Sequence, residues 1–217
     1  MELAGFNGFS YSYAGLKDVK ALSDITISIS EGEFLVICGP SASGKTTLLK
    51  NFKKEVAPAG KIEGKSLFNI PSQDISIVFQ NPETGLVTGN VLNDLVFHME
   101  NLGFSNEKMK KQLAETVSFF GIEHLLHRNI NELSGGQKQL ISLCSALMTQ
   151  PKLLLLDEPV SHLDPIASRE FLDTLKRVNE EFSVAIIMTE HRLDEAICLC
   201  DRIALMDSGK ILYVGYP

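Results

Sequence analysis

The stretch Gly39-Pro40-Ser41-Ala42-Ser43-Gly44-Lys45-Thr46-Thr47 decides the fold of this 217-residue chain. It fits the pattern G-x-x-x-x-G-K-[ST] and follows an apolar run, 34–38, that is typical of a strand buried on both faces. A helix is predicted to begin near Lys45. In such a unit the backbone N–H groups converge on a polyphosphate, Lys45 reaches the outer phosphates, and the Thr46 hydroxyl can ligate magnesium. A glycine-rich turn without a ligand is the alternative.

The rest of the chain predicts an α/β protein. Residues 22–29 alternate apolar and polar side chains, which indicates a half-buried strand of an antiparallel sheet. In the last third, segments with the patterns of strands and helices alternate, and this order is typical of a mostly parallel sheet covered by helices. Strands are predicted at 75–79, 153–156, 184–188 and 203–206, and helices at 165–181 and 193–199.

The middle of the chain is predicted to be helical, with helices at 91–101, 107–120 and 136–148. We therefore expect a single domain over residues 1–217. Its catalytic core would comprise about 1–81 and 151–217, and a helical lobe would comprise about 82–150.

Composition excludes some classes of protein. The 20 basic and 27 acidic side chains give a net charge of −7, which argues against a dedicated nucleic-acid surface. No apolar run approaches the ~20 residues that cross a bilayer, and no secretory signal is visible. Cys38, Cys144, Cys198 and Cys200 lie in apolar stretches and are predicted to be reduced core residues in a cytosolic protein, with a metal or redox pair at Cys198 and Cys200 as the alternative.

Asp157 and Glu158 follow four leucines of a predicted central strand. Asp157 can hold magnesium, and Glu158 can polarise a water that attacks the outer phosphate. An acidic loop at a strand end is the alternative, but a phosphate-binding loop in the same chain favours the catalytic interpretation.

A second predicted helix N-terminus can accept an anion. Leu133-Ser134-Gly135-Gly136-Gln137 opens the helix 136–148, so its first N–H groups are free. Since one nucleotide hardly needs two such ends, the second end is expected to serve a nucleotide bound by another molecule. The alternative is that Ser134 is only a helix cap.

Together these three segments resemble the ATP-binding cassette (ABC) ATPases, and the resemblance covers essentially the whole chain. It implies a phosphate-loop core with a mostly parallel sheet, an N-terminal antiparallel β subdomain and a helical lobe. It further implies an ATPase that binds ATP and Mg²⁺ between two cassettes. Ala42 and His162 stand where many relatives have other small residues, but neither change removes a required donor or ligand.

The resemblance also assigns roles to individual residues. Tyr13 corresponds to the aromatic residue that stacks on adenine, with Tyr11 as the alternative. Gln80 corresponds to the glutamine that contacts magnesium and the attacking water, His191 to the histidine that contacts the γ-phosphate, and the segment Ser161-His162-Leu163-Asp164 to the loop that crosses the dimer interface. The predicted catalytic residues are Glu158, His191 and Gln80, the metal ligands are Thr46, Gln80 and Asp157, and the nucleotide-binding residues are Tyr13, Gly39, Pro40, Ser41, Ala42, Ser43, Gly44, Lys45, Thr46, Thr47, Ser134, Gly135, Gly136, Gln137 and Asp164.

Four segments are similar to the energy-coupling-factor ATPases, which drive uptake of vitamins and of cobalt or nickel ions: 80–83, 89–91, 94–97 and 189–195. This resemblance implies a homodimer or heterodimer with another cassette, held on the cytoplasmic face of the cell membrane by a transmembrane coupling subunit. A short helix of that subunit would enter a groove lined by residues 87–97. The alternatives are a soluble ABC ATPase that acts on ribosomes or DNA, and an ATP-dependent scaffold without turnover.

Overall fold

The computed structural model describes residues 1–15, 19–191 and 196–217. Its strands are β1 (Glu2–Tyr13), β2 (Leu22–Ser30), β3 (Phe34–Cys38), β4 (Gly60–Phe68), β5 (Ile75–Val78), β6 (Leu153–Asp157), β7 (Ala185–Glu190), β8 (Arg202–Asp207) and β9 (Lys210–Gly215). Its α-helices are α1 (Lys45–Asn51), α2 (Val91–Asn101), α3 (Asn106–Phe120), α4 (Gly135–Leu147) and α5 (Pro165–Phe182).

A six-stranded sheet with the order β5-β6-β7-β3-β8-β9 forms the centre of the molecule. Its neighbouring strands are parallel except for β8 and β9, which are antiparallel. Every residue of β3, β6 and β7 is buried. The predicted α/β class with a mostly parallel sheet is therefore confirmed, and so is the prediction that 34–38 forms a strand buried on both faces.

A three-stranded antiparallel sheet, in the order β2-β1-β4, packs over one face of the large sheet. In β2 the buried positions alternate with more exposed ones over most of the strand, as its sequence predicts. Strands β1, β4 and β9 were not individually predicted. All residues of β4 are exposed, so this edge strand has no apolar period to reveal it.

The side chains of the central strands alternate between two apolar cores. Leu35 and Ile37 pack with α1 and the antiparallel sheet, whereas Phe34 and Val36 pack with α4 and α5. A third core lies among helices α2, α3 and α4, and all of its buried members fall between Val91 and Met148. Thus α4 contributes to both the second and the third core.

The helix ends follow their sequence signals. The Asp164 Oδ1 atom accepts hydrogen bonds from the N–H groups of Ile166 and Ala167, each at 3.0 Å, and Pro165 occupies the first position of α5. Gly121 ends α3 in the left-handed conformation, with a φ of 64°. Among the described residues, no helix has the length and apolarity needed to cross a membrane.

One prediction about the cysteines is wrong. Cys38 and Cys144 are buried, but Cys198 is exposed and Cys200 is only half-buried. All four thiols are free. Because residues 197–199 form a turn near the surface, their apolar composition does not place the side chain of Cys198 in the core. The predicted helix at 193–199 begins outside the described residues.

Candidate functional site

The phosphate-binding loop connects β3 to α1 and has a backbone that depends on glycine. Gly39 and Gly44 have φ values of 156° and 103°. A Cβ atom on Gly39 would overlap the carbonyl oxygen of Met206 in the neighbouring strand β8. The loop can therefore lie tightly against the sheet only because this position carries no side chain.

Lys45 begins α1 and is only 4% exposed. Its Nζ atom donates to the carbonyl oxygens of Gly39, at 2.8 Å, and Pro40, at 3.0 Å. It also lies 3.7 Å from Glu158 Oε1. The lysine thus bridges its own loop to the carboxylate on the opposite side, where an incoming phosphate would compete for the same ammonium group.

The loop forms one wall of a cleft of about 540 Å³. Residues from six separate parts of the chain line this cleft. They are Tyr13, Ala21, Ser41, Ala42, Ser43, Gly44, Lys45, Thr46, Thr47, Gln80, Glu158 and His191. The Oγ atom of Ser43 is buried and has no hydrogen-bond partner, so this part of the loop retains unused hydrogen-bonding capacity.

Asp157 ends β6 beneath the loop and is 4% exposed. Its Oδ1 atom accepts hydrogen bonds from the hydroxyl groups of Thr46, at 2.8 Å, and Thr189, at 3.0 Å. A hydroxyl and a carboxylate are the oxygen donors that Mg²⁺ prefers, and this ion usually takes only one or two carboxylates besides phosphate and water. The pair of Thr46 and Asp157 therefore fits magnesium.

Glu158 follows Asp157 in a left-handed conformation, with a φ of 45°. Its backbone N–H donates to Thr189, to the carbonyl oxygen at 3.2 Å and to Oγ1 at 3.0 Å, which holds the strained residue in place. The Oε1 atom lies 2.7 Å from Nε2 of His191, and the Oε2 atom accepts a hydrogen bond from Nε2 of Gln80 at 3.3 Å. Three predicted catalytic residues, Glu158, His191 and Gln80, therefore meet at one point.

Gln80 lies two residues after the end of β5, which stops one residue before the end of the predicted strand 75–79. Its Nε2 atom also donates to Ser161 Oγ at 3.3 Å. His191 lies beside the loop as well, since its Nδ1 atom is 3.3 Å from Lys45 Nζ. The side chains on opposite sides of the cleft thus contact one another.

The two candidate aromatic residues differ sharply in their surroundings. Tyr11 is 1% exposed, and its hydroxyl donates to the carbonyl oxygens of Pro58 and Ala59. In contrast, Tyr13 is 37% exposed, lines the cleft and shares a 2.6 Å hydrogen bond with Thr47 Oγ1. Only Tyr13 presents its ring to a ligand in the cleft.

The Ser134 to Gln137 segment does not line this cleft. Ser134 Oγ accepts from the Gln137 N–H at 3.2 Å, while Gln137 Oε1 accepts from the Ser134 N–H at 3.0 Å, so the two residues form a capping box. A Cβ atom added to Gly135 would have no neighbour within 4 Å, and one on Gly136 would contact Ala167 of α5. This helix end therefore has an open surface beside the start of α5.

Thr189 is a site residue that the sequence analysis missed. It is fully buried on β7 and binds both Asp157 and the backbone of Glu158. Its position one residue after the predicted strand 184–188 was visible, but only the parallel pairing of β6 with β7, in which Asp157 lies opposite Thr189, shows what it contacts. Of the predicted segment 189–195, residues 192–195 lie outside the described residues.

Known proteins resemble this chain in sequence and in fold. The sequence model of the family described as ABC transporter matches residues 22–161. A Bacillus thuringiensis protein named as an ABC transporter ATP-binding protein is 49% identical over 99% of this chain, but the chain spans only 40% of that relative. The energy-coupling factor transporter ATP-binding protein EcfA1 of Caldanaerobacter subterraneus is 34% identical, over 96% of this chain and 78% of the relative.

A solved structure of a transporter component has a similar fold. The cbiO1 protein of Clostridium perfringens, described as part of the ABC transporter complex cbiONQ, matches with a TM-score of 0.87 and 30% identity. The match covers 100% of this chain and 89% of that one. The fold and the cleft of the present chain define a nucleotide-binding domain with a phosphate loop. The chain belongs to the ABC transporter ATP-binding family.

Proposed function

We propose that this chain binds and hydrolyses ATP and thereby powers solute import by a membrane transporter of the energy-coupling-factor type. The observation that carries the catalytic part is the position of Glu158, whose Oε1 lies 3.7 Å from the Nζ of Lys45 across the cleft. A carboxylate that faces the phosphate-binding lysine is placed to accept a proton from the water that attacks the γ-phosphate.

The other side chains of the cleft have supporting roles in this proposal. Backbone N–H groups of the loop and the ammonium of Lys45 bind the phosphates, and the ring of Tyr13 stacks on the base. Thr46, Asp157 and Gln80 would hold Mg²⁺, which neutralises phosphate charge when bound. Because His191 contacts both the loop and Glu158, it would orient Glu158 and contact the γ-phosphate.

A second cassette completes the proposed site. Ser134 to Gly136 and the Ser161 to Asp164 segment would face the nucleotide of the partner molecule, in a homodimer or a heterodimer. Hydrolysis removes the shared γ-phosphate, so the contacts that hold the pair closed are lost and the molecules separate. This opening and closing is the proposed mechanical output.

The proposed membrane partner would bind at the boundary between the catalytic core, about 1–81 and 151–217, and the helical lobe, about 82–150. A cleft of about 380 Å³ lies there, and Phe79, Gly85, His98 and Leu102 are among the residues that line it. The expected lining by 87–97 is wrong for this cleft, because none of these residues lines it and Val91 and Leu95 are fully buried. A transmembrane coupling subunit would place a short helix in this cleft, with the cassette on the cytoplasmic face.

The names of the relatives support a role in transport, and import is part of the proposal. Both EcfA1 and cbiO1 carry names of transporter components, and cobalt, nickel or vitamin uptake is the proposed class of transport. Two measurements test the proposal. The purified protein should release phosphate from ATP, and an affinity-tagged chain expressed in its own cells should co-purify with a hydrophobic membrane subunit. Co-purification with ribosomes or DNA instead would contradict the transport role, and ATP binding without phosphate release would indicate a scaffold.

A further inference from the structure

The hydroxyl group of Tyr13 makes a side-chain hydrogen bond in the cleft that has no role in the proposed cycle. It lies 2.6 Å from Oγ1 of Thr47. Tyr13 ends β1 in the three-stranded antiparallel sheet, where it is paired with Gly60 of β4, whereas Thr47 lies in the first turn of α1. The bond therefore connects the sheet that carries the aromatic ring to the helix that begins with the phosphate-binding lysine.

The two partners of this bond differ in how firmly they are held. Thr47 is 8% exposed, and its carbonyl oxygen accepts a hydrogen bond from Asn51 Nδ2 at 2.7 Å within the same helix. Tyr13 is 37% exposed and lines the cleft. Thr47 is thus the fixed partner, and the bond restricts the orientation of the Tyr13 ring.

A second contact restricts the same ring. The rings of Tyr11 and Tyr13 are nearly perpendicular, at 85°, and their centroids are 5.1 Å apart, which is a favourable edge-to-face arrangement. Tyr11 is itself immobile, because it is 1% exposed and its hydroxyl donates to the carbonyl oxygens of Pro58, at 3.0 Å, and Ala59, at 2.9 Å. The Tyr13 ring is therefore held by Tyr11 from the antiparallel sheet and by Thr47 from α1.

We propose that Thr47 is a positioning residue for Tyr13, and that its hydroxyl group holds the ring in the orientation that stacks on the base. Ordering a flexible side chain on binding weakens affinity by about 2- to 10-fold, and a ring that is already ordered avoids this loss. Because a hydroxyl can accept one hydrogen bond and donate another, Thr47 can hold Tyr13 and still donate to a phosphate. This inference rests on the proposed binding of ATP and makes the Tyr13 hydroxyl, besides its ring, part of the base site.

The first test compares ATP with ribose 5′-triphosphate, which lacks only the base, in equilibrium titrations with Mg²⁺. The dissociation constant of ribose 5′-triphosphate divided by that of ATP measures the contribution of the base, since a lost phosphate contact changes both constants alike. We expect Tyr13→Phe to lower this ratio about 2- to 10-fold and to change the constant for ribose 5′-triphosphate less than about twofold. Tyr213→Phe is the matched control and should keep the wild-type ratio, because the Tyr213 hydroxyl donates to the carbonyl oxygen of Tyr216 and lines no part of the cleft.

Variants of Thr47 separate positioning from phosphate binding. Thr47→Val removes the hydroxyl and should lower the ratio to the value of Tyr13→Phe, whereas Thr47→Ser keeps the hydroxyl and should keep the wild-type ratio. The double variant of Tyr13→Phe and Thr47→Val should lower the ratio no further than either change alone, since both remove the same bond. A wild-type ratio in Tyr13→Phe, or two factors that multiply in the double variant, would overturn the positioning role.

A second measurement needs no ligand. The ¹³C signals of the ring carbons that carry the hydroxyl groups report the hydrogen bonds of the four tyrosines, and Tyr13→Phe identifies the signal of Tyr13. Thr47→Val should move this signal and leave that of Tyr213 in place. An unmoved Tyr13 signal would overturn the positioning role even where ATP binds normally. If the wild-type protein binds neither ATP nor ribose 5′-triphosphate, the proposed function fails, and the base site fails with it. Should Thr47→Val fail to fold, the ratio for Tyr13→Phe decides alone.

Discussion

Replacing Glu158 by glutamine tests the proposed chemistry most directly. The amide has the same shape as the carboxylate, and its oxygen can still accept from His191 Nε2, which lies 2.7 Å from Glu158 Oε1. The backbone of residue 158 is held by two hydrogen bonds to Thr189 that the substitution leaves in place. We therefore expect Glu158→Gln to fold and to bind ATP.

The substitution removes the group that accepts the proton of the attacking water. A positioned general base contributes about 10²- to 10⁴-fold to a rate, which corresponds to about 2.7–5.4 kcal/mol of activation free energy at 1.36 kcal/mol for each factor of ten. Glutamine also lacks the negative charge that lies 3.7 Å from Lys45 Nζ, so the ammonium becomes freer to bind phosphate. We expect slower hydrolysis by roughly 10² to 10⁴, unweakened ATP binding and accumulation of an ATP-bound dimer.

The assay combines phosphate release under saturating ATP with light scattering in the presence of ATP and Mg²⁺. Glu115→Gln serves as a matched control, because it removes an exposed carboxylate of α3 that lines no part of the cleft. Unchanged phosphate release in Glu158→Gln would refute the role of Glu158 as base. A slow variant that stays monomeric with ATP would leave the base assignment intact and refute the proposed closing of two cassettes.

Three further predictions concern binding and stability. Lys45→Ala should weaken ATP binding about 10- to 100-fold, since hydrogen bonds to a charged group contribute about 1.5–3 kcal/mol, and wild-type affinity in a fluorescent-nucleotide titration would contradict the phosphate-loop assignment. Tyr13→Ala should weaken ATP binding by about 1–3 kcal/mol of lost base stacking, whereas Tyr11→Ala should mainly lower the melting temperature; the reverse result would exchange their roles. Asp94→Ala should lower the free energy of unfolding by about 2–4 kcal/mol, because the fully buried carboxylate accepts three hydrogen bonds, from two N–H groups and a hydroxyl of residues 87–88. An unchanged midpoint in a denaturant titration would contradict this.

The elements with a strong local signal were predictable from the sequence. The buried strands β3 and β6 appear as continuous apolar runs, and the ends of α3 and α5 carry a glycine and an Asp-Pro pair that have clear physical roles. In contrast, β4 is exposed along its whole length and is held by backbone pairing with β1. Pairing between distant segments leaves no period in the sequence, so this strand could not be predicted from its own residues.

The candidate site was predictable to a similar degree. The motif 39–47 and the pair at 157–158 can be recognised by residue type. In the structure, residues 41–47 and Glu158 line one cleft, and Asp157 lies beneath the loop, bonded to Thr46. Thr189 was not singled out, because its contact with Asp157 comes from the register of β7 against β6. Apart from the family resemblance, no feature of the sequence favours Tyr13 over Tyr11 as the residue that stacks on the base. In the structure, the two differ clearly, because Tyr11 is buried and Tyr13 is exposed at the cleft.

The proposed second molecule is supported by the position of the free end of α4 relative to the cleft. In one chain, the cleft is lined by the phosphate loop, Tyr13, Gln80, Glu158 and His191, and none of the residues 134–137 takes part. The capping box uses the Ser134 Oγ and the N–H groups of Ser134 and Gln137, but it leaves those of Gly135 and Gly136 without a side-chain partner at an open surface. If these donors bind a phosphate in the proposed cycle, that phosphate must belong to a nucleotide held by another cassette.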